Sequence, residues 1–325
     1  MTMRYSNQDG SQRSFPFKHV LRRQTGWHAE RQPRSPGTGV PVPQVHNDGA
    51  ELHHPLHDTL TWIGHSSFLL QLGGLNMLID PVMSSSLGGV VPRNVPPGLS
   101  WSALPKKIDV VMITHNHRDH MDVPTLKRLG AEPHYLVPHG MRRWFLKNGF
   151  PKVQEMAWWE QAHIGQTTMT FVPAQHWSRR GLMDMNTSWW GGFVMEHDGF
   201  RLYHAGDTAW FDGFREIGQR CGALDVAMLP IGAYAPRWFM RYQHMDPDDA
   251  LRAFMALEAK LFVAMHWGTF KLTDEPLTEP PLRLRDLWHR LQLPQGRLAI
   301  PAIGQTLEFA RHALSDELQT KYLGA

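Results

Sequence analysis

At 325 residues the chain is long enough for one large domain or two small ones, and its 42% hydrophobic and 19% charged residues are the balance of a globular protein. No run of eighteen apolar residues occurs and the first residues lack an apolar segment, so neither a transmembrane helix nor a cleaved secretory signal is expected. A single cysteine, Cys221, excludes an intramolecular disulfide and leaves His and carboxylate as the donors for any metal. The net charge of +3 lies in residues 1–50, where seven basic residues meet three acidic ones. The other 26 basic and 27 acidic residues give no electrostatic signature for nucleic acid.

Residues 1–50 are rich in Pro, Gly, Arg and Gln and read as a poorly ordered basic tail, with a folded domain over 51–325. Strands are predicted at 59–63, 67–72 and 75–79, the last two joined by a Gly73-Gly74 hairpin. The apolar run 109–114 reads as a buried strand, followed by a helix near Asp122 with Pro124 in its first turn. A helix is expected over 139–147, then strands at 168–173, 192–196, 200–205, 225–230 and 260–265. Between the last two, 247–259 is the clearest helix. Asp246 caps it, Pro247 opens it, and Leu251, Phe254 and Met255 form an apolar stripe read as core. A helix over 281–292 and a weaker terminal strand pair at 297–300 and 306–309 complete the chain. The pattern suits an α+β protein with helices outside a pair of sheets.

The chemistry concentrates in His115-Asn116-His117-Arg118-Asp119-His120, directly after the strand at 109–114. Three imidazoles and a carboxylate within six residues suit zinc in a site left open to substrate, and the spacing favours two ions. His176, Asp207 and His266 each follow another apolar strand. Strands of one fold can end at a common sheet edge, so these residues can meet the cluster.

HNHRDH fits the HxHxDH signature of the metallo-β-lactamase superfamily, with His176, Asp207 and His266 in its remaining ligand positions. Within that superfamily the chain resembles the N-acyl-phosphatidylethanolamine-hydrolysing phospholipase D family. The resemblance runs over roughly 52–310, through TWIGHSSFLL, LIDPVMSS, THNHRDHMD, PAQHW, AGDT, LPIGAYAPRWFM, HMDPDDA and MHWGTF. It implies a four-layer αβ/βα sandwich with two zinc ions, or other divalent transition metals. His115, His117 and His176 would hold one ion, Asp119, His120 and His266 the other, and Asp207 would bridge. Asp80 in LIDP would orient the metal loop, and His65 would lie beside the site. Asp119, Asp207 and His244 become the catalytic candidates, with His244 near the phosphate or the leaving group. Trp177, Trp189, Trp190, Tyr234, Trp238 and Phe239 are collectively candidates for an acyl groove. Ala235 and Trp210 depart from the family pattern, which expects Glu and a Tyr-containing turn there.

The function so implied is cleavage of N-acyl-phosphatidylethanolamine, or a related glycerophospholipid, to phosphatidic acid and an N-acylethanolamine. The alternatives are hydrolysis of a lactone or small phosphodiester on the same metal pair, and metal binding without turnover. The expected partner is a phospholipid, not nucleic acid. Location is expected to be cytoplasmic, with peripheral membrane contact and a homodimer left open.

Overall fold

The computed structural model describes residues 3–12 and 35–309. Two seven-stranded sheets face each other. The first runs β16-β1-β2-β3-β6-β7-β8, with β1 at Asp58–Gly64, β2 at Ser67–Leu72, β3 at Leu75–Ile79, β6 at Val110–Met112, β7 at His134–Pro138, β8 at Val153–Met156 and β16 at Thr306–Phe309. The second runs β15-β14-β13-β12-β11-β10-β9. Here β9 is Gln161–Ile164, β10 Thr167–Val172, β11 Gly192–His197, β12 Phe200–His204, β13 Val226–Pro230, β14 Leu261–Met265 and β15 Leu298–Ala299. A small hairpin, β4 at Ser86–Leu87 and β5 at Val91–Pro92, stands apart. Each sheet is antiparallel on one side and parallel on the other.

The side-chain alternation of β6 shows why its sequence is apolar throughout. Val110 and Met112 join the core between the sheets, while Val111 and the following Ile113 join a second core on the opposite face. That second core is closed by Leu126 of α1 (Val123–Leu129) and Phe145 of α2 (Arg142–Lys147). On the far side of the other sheet lie α3 (Gly213–Cys221), α5 (Pro247–Leu257) and α6 (Glu279–Arg290), which contribute Phe214, Phe254 and Trp288 to the main core. The layers are therefore helix, sheet, sheet, helix, the metallo-β-lactamase fold. A short α4 (Arg237–Met240) lies before α5.

Gly73 and Gly74 both have positive φ, the conformation a tight two-residue hairpin requires, and the β2–β3 register is the expected one. Asp246 caps α5 by accepting from Asp249 N at 3.0 Å, with Pro247 at its first position.

Several expectations are corrected. Helix α5 ends at Leu257 because Glu258 turns left-handed, and Met255 is 53% exposed instead of core. The terminal strands are not a pair, since β15 edges the second sheet and β16 the first. Strands β7, β8 and β9 and helix α3 were not anticipated.

Packing also begins well before residue 51. Val42 is buried in the main core, Gln44 bridges Ile303, and Asn7 is buried against the loop at 174–190. Residues 13–34 of the expected tail, and 310–325, lie outside the described residues.

Candidate metal centre

Strands of both sheets end at one edge. Beyond β6 comes the 113–122 loop, beyond β10 His176, beyond β12 Asp207 and beyond β14 His266. Gly206 permits the approach of the Asp207 loop. Its φ is positive, and a Cβ there would come within 2.6 Å of Gly191 O and 2.9 Å of Thr114 Cβ.

Three rings, those of His115, His120 and His176, are oriented by a hydrogen bond at Nδ1, the nitrogen facing away from the cluster. Asp80, at the end of β3 and fully buried, accepts from Thr114 N at 2.8 Å, Thr114 Oγ1 at 2.6 Å and His120 Nδ1 at 2.7 Å. The Thr114 hydroxyl thus donates to Asp80 and accepts from His115 Nδ1 at 3.0 Å. His176 Nδ1 donates to Gln243 O at 2.8 Å, and His65 Nε2 to Asp119 Oδ2 at 3.1 Å. These contacts leave Nε2 of His115 and His176 without a proton and pointing inward.

The inward atoms form two four-residue clusters, and Asp207, His244 and His266 form a third group that joins them. In one, His115, His117, His176 and Asp207 each place a donor atom within 4.8 Å of the others; in the second, His65, Asp119, His120 and His266 do so. Asp207 reaches both, with Oδ2 3.1 Å from His120 Nε2 and 3.9 Å from His115 and His176 Nε2, and Oδ1 3.0 Å from His266 Nε2. His244 Nδ1 lies 3.9 Å from Asp207 Oδ2.

The electrostatics match this partition. Burial pushes His115 and His176 well below the ordinary imidazole value, and His117 down to about 4, so all three rings are neutral donors. His120 goes the other way. Burial opposes its protonation, but the charges of Asp207, Asp80 and Asp119 overcome that and raise its pKa well above the usual value. Burial likewise opposes ionisation of Asp119 and Asp207, yet His120, followed by His65 for the one and His266 for the other, holds both carboxylates well below their normal range.

The donor set fits metal ions. His117 Nδ1 lies 2.8 Å from His115 Nε2 and 3.2 Å from His176 Nε2, and has at most one proton to offer two facing lone pairs. His117 Nε2, His120 Nε2, His266 Nε2 and Asp207 Oδ1 are buried without a hydrogen-bond partner. A cation satisfies such lone pairs and neutralises the buried carboxylates.

Residues 75–267 match the family described as a beta-lactamase superfamily domain. The chain belongs to the metallo-β-lactamase superfamily. It is 33% identical to N-acyl-phosphatidylethanolamine-hydrolyzing phospholipase D 1 of Caenorhabditis elegans, over 83% of this chain and 80% of that protein. It is also 33% identical to the mitochondrial N-acyl-phosphatidylethanolamine-hydrolyzing phospholipase D of Saccharomyces cerevisiae, over 82% of this chain and 58% of the relative. The chain therefore spans little more than half of that yeast protein. Igni18, a metallo hydrolase from Ignicoccus hospitalis, superposes with a TM-score of 0.60 at 25% identity, over 78% of this chain and 98% of that one. Within the superfamily the chain belongs with the N-acyl-phosphatidylethanolamine-hydrolysing phospholipase D relatives, as a metal-dependent hydrolase.

Of the aromatic candidates in this superfamily member, Trp177 packs on a cluster ring, edge-on to His117 at 4.4 Å between centroids. Trp189 stacks on Trp158. Trp190 is buried, its indole N–H shared between Asn7 Oδ1 and Ala174 O. Tyr234 is buried and donates to Glu279 at 2.6 Å. Trp238 packs edge-on to the buried Phe239. The cavity beside His266, Trp267 and Phe270 measures about 10 Å³, room for one water and not for an acyl chain.

Sequence reasoning missed Thr114, Gln243 and Asn7. Thr114 stands next to the signature and could have been flagged by its neighbours. Gln243 acts through its carbonyl, which any residue carries, and Asn7 lies 169 residues from the His176 it binds.

Proposed function

We propose that this chain is a dinuclear phosphodiesterase of phospholipase D type, cleaving N-acyl-phosphatidylethanolamine or a related glycerophospholipid to phosphatidic acid and an N-acylethanolamine. The observation that carries it is the pair of donor clusters, with Asp207 of one lying 3.1 Å from His120 and 3.0 Å from His266 of the other, in a chain 33% identical over most of its length to a phospholipase D of that specificity. His115, His117 and His176 would hold one ion and Asp119, His120 and His266 the other, with Asp207 common to both. Zinc suits this set of imidazoles and carboxylates. Metals held there supply Lewis acidity, drawing charge from the phosphoryl oxygens and acidifying water.

The chain's own residues do the rest. Asp80 fixes His120 directly and His115 through Thr114, and His65 fixes Asp119. In the hydrolysis a water oxygen bonds to phosphorus, the bond from phosphorus to the ethanolamine oxygen breaks, and that oxygen takes up a proton. His244 presents a partnerless Nδ1 to the site and is placed to supply it. Burial, together with the neighbouring His266, lowers its pKa to about 3, so it starts neutral and passes on only a proton that the reaction delivers. Trp177 gives one apolar wall beside His117.

A lipid surface also suits the rim. Leu182 and Met183 are 85% and 84% exposed at the tip of a loop whose Arg180 is anchored to Asn116 O and Met121 O. Val90 is 83% exposed on the β4–β5 turn, where a Cβ on Gly88 would come within 3.2 Å of Arg118 Nη1. Apolar tips beside Arg118, Arg179 and Arg180 are the pairing that an anionic bilayer binds. No helix among the described residues is long and apolar enough to cross a membrane.

The test is hydrolysis of a lipid panel in oxygen-18 water, after metal quantification, with products read by mass spectrometry. Label in phosphatidic acid and none in the released alcohol is expected. Label in a free fatty acid would replace the phosphodiesterase reading with carboxyl-ester cleavage.

A further inference from the structure

Residues 3–12 run across the loop that carries His176, although they are separated from it by more than half the chain. Asn7 is 6% exposed, and its Oδ1 accepts from the His176 amide at 3.1 Å and from the Trp190 indole at 2.9 Å. The turn that presents it is closed on itself. Asn7 N donates to Ser11 O and Gly10 N to Asn7 O, both at 2.9 Å. Contacts flank His176 on both sides. Gln175 Nε2 donates to Asp9 Oδ2 and Ser11 Oγ at 3.3 Å, and Tyr5 N donates to Asn186 O at 2.8 Å. Asn186 in turn accepts from Ser178 N at 3.2 Å. Outside the cluster the His176 ring is held at Nδ1, through Gln243 O, while its Nε2 faces His117 Nδ1 at 3.2 Å. The position of its backbone therefore decides where Nε2 lies.

We propose that Asn7 is a positioning residue for the His176 half of the centre. The N-terminal strap sets the backbone at 175–178, and with it the point at which His176 meets His115, His117 and Asp207. The Asp119, His120 and His266 half receives no contact from the strap in these hydrogen bonds and does not depend on it. This assignment to one of two ions rests on the dinuclear reading above. Outer-shell partners of a ligand typically change metal affinity about 10–100-fold, and Asn7 acts one step from the ring, through the amide. Its loss should sit at the low end of that range.

The experiment uses the full chain with Asn7→Ala and Asn7→Asp. Asn7→Ala leaves the His176 amide and the Trp190 indole competing for water, whereas Asn7→Asp keeps an acceptor oxygen at the same place. Titration of zinc-loaded protein with a chelator, followed by native mass spectrometry, should show one ion leaving Asn7→Ala at about tenfold lower chelator, with the second ion retained as in the parent. Asn7→Asp should recover most of the shift. His176→Ala should remove the same ion, and adding Asn7→Ala to it should change nothing further, because the two act on one contact chain. In metal-free protein the His176 amide should exchange its hydrogen at least about tenfold faster in Asn7→Ala than in the parent, a loss of protection of order 1.4 kcal/mol. Unchanged exchange at His176, or equal loss of both ions with a lowered Tm, would overturn the proposal. A parent protein that binds only one ion would sink the dinuclear reading instead, and the exchange measurement would still decide the role of Asn7.

Discussion

In the cluster around His120, the side chains are fixed from within the first sheet and its edge. Asp80 ends β3 and reaches Thr114 and His120, while His65 follows β1 and reaches Asp119. In the other cluster His115 is tied to the same Asp80 through Thr114, but His176 is fixed from elsewhere, by Gln243 before α5 and by Asn7 in the N-terminal segment. Asp207 of one cluster reaches His120 and His266 of the other, yet the two differ in how many remote parts of the chain must be folded before they are complete. Electrostatics divide them in the same way. Carboxylates drive protonation at His120, whereas burial leaves His115, His117 and His176 neutral. One half is a charge-compensated unit, and the other is a set of aimed lone pairs.

Asp207 is where both halves should fail together. Asp207→Asn replaces the carboxylate that lies between the clusters, and turnover should fall by about two orders of magnitude or more at matched protein concentration. The fold should survive, as read by circular dichroism. Near-normal turnover at matched metal content would remove Asp207 from the centre.

Asp80→Ala should separate the halves. It strips the acceptor from the Thr114 amide, the Thr114 hydroxyl and His120 Nδ1. Affinity for the ion nearest His120 should drop about 10–100-fold, with a smaller effect on the ion nearest His176. Chelator titration with ion counting reads both. An equal loss at both sites would show that the halves are coupled through Thr114 and His115 more strongly than through Asp207.

The rim gives a smaller effect. Replacing Leu182 and Met183 by Ser removes most of the exposed apolar area of that loop, and binding to anionic vesicles should weaken about 5–20-fold at about 25 cal/mol per Å². Hydrolysis of a detergent-dispersed lipid should stay near the parent rate. Vesicle binding equal to that of the parent would mean that these tips do not meet lipid.

How much of this was legible follows from the same contrast. The HNHRDH loop and the strand-end positions of His176, Asp207 and His266 could be read from residue type and apolar run alone. Asp80, at a strand end before Pro81, could be read only through the family resemblance, since residue type alone equally suits a turn. Strands β8 and β9 could not, because VQEM and QAHI are half-exposed edge segments with no apolar run. Helix α3 opens on Gly213 and buries only Phe214 and Ile217 beyond that glycine, too little periodicity to announce it. The contacts of residues 3–12 are not legible in composition, which measures apolar content, while Asn7 is held by hydrogen bonds to a loop far along the chain. The aromatic candidates were selected as a class, and the fold sorted them by location.

That sorting gives the smallest expected effect. Tyr234 was a candidate for the acyl groove, but its ring is buried and its hydroxyl donates to Glu279 at 2.6 Å. Burial, and then the charge of Glu279, raises the pKa of the phenol, so it remains a donor throughout the working range. Tyr234→Phe keeps the ring and loses only that hydrogen bond. Glu279 is partly exposed and can turn to water, so the cost should be about 1 kcal/mol, read from urea unfolding as a shift of the midpoint at constant slope. Neither kcat nor KM for a long-chain substrate should change. Trp177→Ala is the counterpart on the other side of the comparison. It removes the aromatic face beside His117 and should raise KM several-fold with little loss of stability, because Trp177 is not fully buried. A rise in KM from Tyr234→Phe would mean that the phenol faces substrate after all, and that the groove opens through the 232–235 turn.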